Sequence, residues 1–192
     1  MNQSTQTNNQ LFYYNPKENN SIKKFCQKLS ELISNNTASN QSLVLLCIGS
    51  DRATGDCLGP IIGYKLSQMK YKHLDIYGTL ENPVHAKNLS NTVNTIKKKH
   101  KNPFIVAIDA SLGKGSHIGF VTLGNGSLSP GIGVNKDLPA VGNIFITGIV
   151  NMSGELNHVL LQTTRLDVVM RLADYICLGI RYSIFNHYRE YP

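Results

Sequence analysis

The chain has 192 residues, of which 41% are hydrophobic, and its 19 lysines and arginines against 12 acids give a formal net charge of +7. That length suits a single domain with a substantial core, and no apolar run approaches the roughly 20 residues needed to span a bilayer, so no membrane partner is expected. The positive field favours encounters with anionic partners.

Residues 1–20 are polar and rich in Asn and Gln, with Leu11, Phe12, Tyr13 and Tyr14 as an apolar island, and are expected to form a disordered N-terminal tail. Met1-Asn2-Gln3-Ser4-Thr5-Gln6 lacks the basic and apolar parts of a secretory signal. Residues 21–192 are expected to form one α/β domain. From Ser21, read as a cap, Ile22, Phe25, Cys26, Leu29, Leu32 and Ile33 recur at helical spacing. A polar linker, Ser34 to Ser42, follows.

Leu43 to Gly49 is an apolar run without polar alternation, the pattern of a strand buried on both faces of a parallel sheet. It empties into Ser50-Asp51-Arg52-Ala53-Thr54-Gly55-Asp56, and Leu58 to Met69 then reads as a helix. Leu74 to Gly78 is a short second strand. Asn82-Pro83 has the form of a cap and first helical residue, opening a helix that carries Val84, Leu89, Val93 and Ile96. The cluster Lys97-Lys98-Lys99-His100-Lys101 suits the C-terminal end of that helix, where cations complement the dipole. It lacks the interleaved aromatics of a nucleic-acid footprint, which is the weaker reading.

Pro103 to Asp109 is another doubly buried strand, ending in an acid. His117 to Leu123 reads as a fourth strand and Ile144 to Val150 as a fifth, without a crossover helix between them, so that edge is expected to be antiparallel or irregular. Gly124 to Gly142 is a long Gly- and Pro-bearing loop, of a length associated with binding lids. Its core, Ser129-Pro130-Gly131-Ile132-Gly133-Val134-Asn135-Lys136, offers Gly131, Gly133, Asn135 and Lys136 to a substrate. Ser153 to about His187 is helical, with a break near Thr163-Thr164. Strands alternating with helices predict a three-layer α/β/α sandwich. The scattered cysteines Cys26, Cys47, Cys57 and Cys177 suit reduced thiols in a soluble, cytoplasmic protein.

Parallel α/β folds carry their chemistry on loops beyond the carboxyl ends of the strands, at the point where strand order reverses. In the order second–first–third strand, the first and third strands are neighbours there. Asp56 and Asp109 would then share a cleft, where two carboxylates cannot both ionise easily and hold one proton between them. One activates water while the other protonates the substrate. The competing reading is that each Asp caps a helix or fixes a turn. Glu81 and His85, on the loop after the second strand, border the same rim, and Asp51 and Arg52 either pair or contact an anionic ligand. A divalent metal on the acids with His85, His117 or His158 is a further alternative, without diagnostic spacing. The loop after Gly49 lacks the Gly-Lys-[Ser/Thr] ending of a phosphate loop, Cys57 has no assignable His partner, and no cofactor motif is present.

These residues also carry a family likeness. The runs Cys47–Pro60, Thr79-Leu80 with Asn82–Ala86, Ile108–Gly113, Pro130–Pro139, and Ile146–Asn151 followed by Gln162–Leu166 resemble the signature of the YyaC-type spore proteases. That family is similar to the germination protease, an atypical aspartic peptidase that degrades small acid-soluble spore proteins. The resemblance implies the phosphorylase/hydrolase-like fold of hydrogenase-maturation peptidases. It also implies Asp56 and Asp109 as the catalytic acids, an endopeptidase acting on spore proteins, and a place in the forespore or spore core. A homo-oligomer is compatible with it. Hydrogenase-maturation peptidases use equivalent acids plus a His to grip nickel, and no His here matches clearly. The pro-segment and substrate-recognition insertions of the germination protease are not found, which leaves a non-catalytic basic binding protein of the spore as the remaining alternative.

Overall fold

The computed structural model describes residues 10–38, 41–70, 74–131 and 138–190. In chain order these form β1 (Leu11–Tyr14), α1 (Ser21–Asn36), β2 (Leu43–Cys47), α2 (Leu58–Leu66), β3 (Leu74–Tyr77), α3 (Leu89–Lys99), β4 (Phe104–Gly113), β5 (Val121–Asn125), β6 (Ile144–Met152), α4 (Asn157–Gln162) and α5 (Leu166–Glu190). One sheet of order β1-β5-β6-β4-β2-β3 contains all six strands. β3, β2, β4 and β6 run parallel, while β5 is antiparallel to both β6 and β1.

The continuous apolar runs work because both faces of the central strands are covered. Leu43, Leu45 and Cys47 of β2 and Phe104, Val106 and Ile108 of β4 point into a core shared with α1, α2 and α5. Val44, Leu46, Ile105 and Ala107 point the other way, into a second core with Leu89 and Ile96 of α3. This two-residue alternation makes the expected three-layer α/β/α sandwich. The strand order β3-β2-β4 is the one anticipated, and the antiparallel edge lies where no crossover helix was found.

Four local expectations need correction. Leu11–Tyr14, assigned to a disordered tail, form an edge strand on β5: Tyr14 is buried against Phe25, ring centroids 5.2 Å apart, and Lys28 lies over Phe12. Ser21 is not the cap of α1. Asn20 precedes the helix in the left-handed region, and the Ser21 hydroxyl bonds that of Tyr175 at 2.8 Å. The third helix starts at Leu89 rather than at Pro83, because Val84 is drawn into a one-residue parallel bridge with Ile48. Asn88 stabilises the intervening turn, accepting the His85 N–H (2.8 Å) and donating to the Pro83 carbonyl (3.0 Å). Finally, the fourth strand begins at Val121, since Gly115–His117 form a single 3-10 turn. The break near Thr163-Thr164 does separate α4 from α5.

Candidate active site

Asp56 is positioned by a close approach of backbone to backbone. Two residues past β2 comes Gly49, whose φ of +141° suits glycine, and a Cβ there would stand 2.1 Å from the Asp56 carbonyl oxygen. The Ser50 N–H donates to that carbonyl at 3.1 Å, closing a loop that turns Gly55–Cys57 into one 3-10 turn. α2 begins at once, and Gly59 lets it rest directly on the Ile48 backbone, where a Cβ would meet the carbonyl oxygen at 2.0 Å. Asp56 is therefore held at the carboxyl edge of β2, half-buried.

Asp109 does not end its strand, as expected, because β4 runs on to Gly113; it comes level with that edge one residue past Ile108, the last β4 residue paired with β2. It follows Ile105 and Ala107 on the α3 side of the sheet and is 7% exposed. One of its oxygens accepts the Ala110 N–H at 2.8 Å. Asp56, Asp109 and His85 line one cavity of about 400 Å³, inside the roughly 300–1,000 Å³ typical of ligand sites.

The electrostatics of the two acids differ in degree. Burial, then the Asp56 charge, push the Asp109 carboxyl well above the usual carboxylate range, against a smaller pull from the Ala110 N–H. Burial also raises Asp56, while the Ser50 N–H and then His85 draw it down. Of the two, Asp109, the deeper acid, is the more strongly raised, and Asp56 the less.

The remaining site residues expected from sequence are dispersed. Gly131 lines the cavity, and Gly133, Asn135 and Lys136 lie outside the described residues. Glu81 is exposed and borders a neighbouring recess with Asn82 and His85. Asp51 and Arg52 are exposed in the turn before Asp56 and do not line the cavity.

Several lining residues escaped sequence reasoning. Thr147 pairs with Asp109 in the parallel register, so both side chains leave the sheet on one side. Its hydroxyl bonds those of Ser111 (3.0 Å) and Thr122 (2.7 Å). Leu161 and Gln162 of α4 form another wall with His158, which the sequence offered only as one of three candidate histidines; His117 does not line the cavity. Only the alignment of β6 beside β4 could have flagged Thr147, and that alignment is long-range. Among the described residues no group of three or more His, Cys, Asp and Glu is placed to hold a metal ion.

A family model described as a protein of unknown function (DUF1256) matches residues 13–179. A Bacillus subtilis (strain 168) relative described as "Uncharacterized protein YyaC" is 46% identical over 153 residues, covering 80% of this chain and 75% of the relative. Two solved structures are also similar. The NiFe hydrogenase maturation protease HycI from Thermococcus kodakarensis KOD1 shares 15% identity at a TM-score of 0.43, over 80% of this chain and 99% of that one. A hydrogenase 3 maturation protease shares 15% at a TM-score of 0.36, over 71% and 90%.

Proposed function

The chain belongs to the family described as a protein of unknown function (DUF1256), and we propose that its shared cavity is the active site of an endopeptidase working by acid–base chemistry on Asp56 and Asp109. One observation carries the reading: two carboxylates remote in sequence enter one cavity, close enough for the charge of one to raise the pKa of the other. A buried acid whose carboxyl is held protonated is costly in a structural role and useful in a catalytic one.

In this mechanism Asp56, ionised, removes a proton from water as the oxygen attacks the scissile carbonyl carbon. Asp109, protonated, gives its proton to the carbonyl oxygen, so no free oxyanion forms. The tetrahedral diol then collapses. The C–N bond breaks, the proton on Asp56 passes to the leaving nitrogen, and a hydroxyl proton of the diol returns to Asp109. The products are one carboxylic acid and one amine, and the dyad regains its starting state. The resemblance of the motifs to the germination protease supports proteins of bacterial spores as substrates, met in the cytoplasm of the forespore or spore core.

The test is cleavage of a small acid-soluble spore protein, followed by mass spectrometry, with the parent and with Asp56→Asn and Asp109→Asn. Each variant is expected to lose activity by about 10²–10⁴-fold, the range of a general acid or base, with an unchanged circular-dichroism spectrum. Full activity in either variant removes the dyad.

A further inference from the structure

The cavity opens where the two apolar layers of the sandwich part at the carboxyl edge of the sheet. Leu161 belongs to the layer packed on α5, and Leu128 and Leu138 belong to the layer packed on α3. All three line the cavity, together with Ala53 and Leu112, around the two acids. Leu161 is fixed next to the reacting groups. A Cβ on Gly55, one residue before Asp56, would lie 2.9 Å from the Leu161 Cδ2 and 3.0 Å from its carbonyl oxygen. α4 itself is tied to the end of β6, because the Asn151 amide donates to the Leu160 carbonyl at 2.9 Å and the Thr164 hydroxyl donates to it at 2.8 Å.

Exposed apolar side chains stand next in sequence to lining residues. Met152, Leu156 and Val159 are 50%, 60% and 36% exposed, beside Ser153, Asn157 and His158, which line the cavity. A small ligand would need only the interior, whereas exposed apolar residues next to it suit a longer chain. Charge selects further. An acidic side chain entering the cavity would meet the Asp56 charge beside the buried Asp109, and the basic side chains among the described lining residues are His85 and His158, with no lysine or arginine.

Resting on the endopeptidase reading, we infer that α4 is the specificity element of this site: Leu161, facing Leu128 and Leu138, receives a bulky apolar side chain of the polypeptide beside the bond to be cleaved. Residues further along the substrate lie over Met152, Leu156 and Val159. α4 discriminates by size at Leu161 and by exclusion of acidic side chains.

Two measurements separate this inference from the mechanism beneath it. In the first, the parent digests a mixture of random N-acetylated, C-amidated decapeptides and the cleavage sites are mapped by mass spectrometry. Leu, Ile, Met or Phe at one position next to the bond should exceed Asp or Glu by about 10–200-fold in kcat/KM, the range over which an apolar pocket discriminates. Leu161→Ala should shift the ratio of Phe to Leu peptides about tenfold towards Phe. In the second, Asp109→Asn protein is titrated by calorimetry with two peptides differing only by Leu or Asp at that position, and the Leu peptide should bind at least about tenfold tighter. Peptide binding with that selectivity but no turnover by the parent refutes the dyad and supports the pocket. Cleavage or binding indifferent to the apolar residue overturns the inference while leaving the dyad intact.

Discussion

Replacing Asp109 by Asn should stabilise the protein while it removes activity, and the pH dependence of that gain can be worked from the site. The Asp109 carboxyl is buried and is raised well above its usual range, first by burial and then by Asp56. In the unfolded chain the same group titrates near about 3.9. Between that value and its folded pKa the folded state therefore holds a proton that the unfolded state has released. Stability contributed by the group is fully present below about pH 4 and falls as pH rises towards the folded pKa, by about 1.4 kcal/mol per pH unit. Asn cannot ionise, so the variant should lack this slope, and its side-chain oxygen can still accept the Ala110 N–H that Asp109 takes at 2.8 Å. Burial gives Asp56 a slope of the same sign in both proteins, so the difference between them reports Asp109 together with its coupling to Asp56. Urea unfolding at half-unit steps from pH 4 to pH 8 makes the comparison. Parallel stability curves, or a variant weaker than the parent at pH 8, would falsify the account of Asp109 as a buried, protonated acid.

Other outcomes follow from the same geometry. Cleavage should show a bell-shaped pH profile whose two limbs both lie above the ordinary carboxylate range, since both acids are raised; an acid limb near pH 4 argues against a desolvated pair. Gly59→Ala should lower stability by about 1–3 kcal/mol or more by overpacking, because its Cβ would strike the Ile48 carbonyl oxygen, and a thermal melt unchanged within error contradicts that packing. Tyr14→Ala should cost about 2–4 kcal/mol in urea unfolding, through loss of the buried ring on Phe25; a cost near zero means β1 is dispensable. Thr147→Val strands the buried Thr122 hydroxyl and leaves Ser111 only its bond to the Gly148 carbonyl; it should cost about 1–3 kcal/mol in the same unfolding assay, and unchanged stability contradicts the role of this hydroxyl chain.

The parts of this molecule legible in its sequence are those set by local pattern. Leu43–Cys47 and Phe104–Ile108 read as strands covered on both faces, and their expected neighbourhood put Asp56 and Asp109 at one edge. The parts that were illegible depend on distant partners. Leu11–Tyr14 is too short and too isolated among polar residues to announce a strand, and only the waiting edge of β5 makes it one. Asn82-Pro83 carries a helix-start signal that the Ile48–Val84 bridge overrides. Thr147 and Leu161 look like ordinary strand and helix residues until β6 lies beside β4 and α4 rests on Gly55. Asp51, Arg52 and Glu81 were attractive as charges near the right loops, and position near a loop did not bring them into the cavity.

The first strand has a consequence for how this chain tolerates trimming. Leu11–Tyr14 occupy the outer backbone of Val121–Leu123 and Gly124 in antiparallel register, and the Gln10 carbonyl accepts the N–H of Asn125 at 3.3 Å. A molecule cut before Asn15 would present that row of amides and carbonyls bare, a template for another copy's strand. Leu11–Tyr14 thus act as a built-in selvedge, and a clip after them would turn a finished border into an adhesive one.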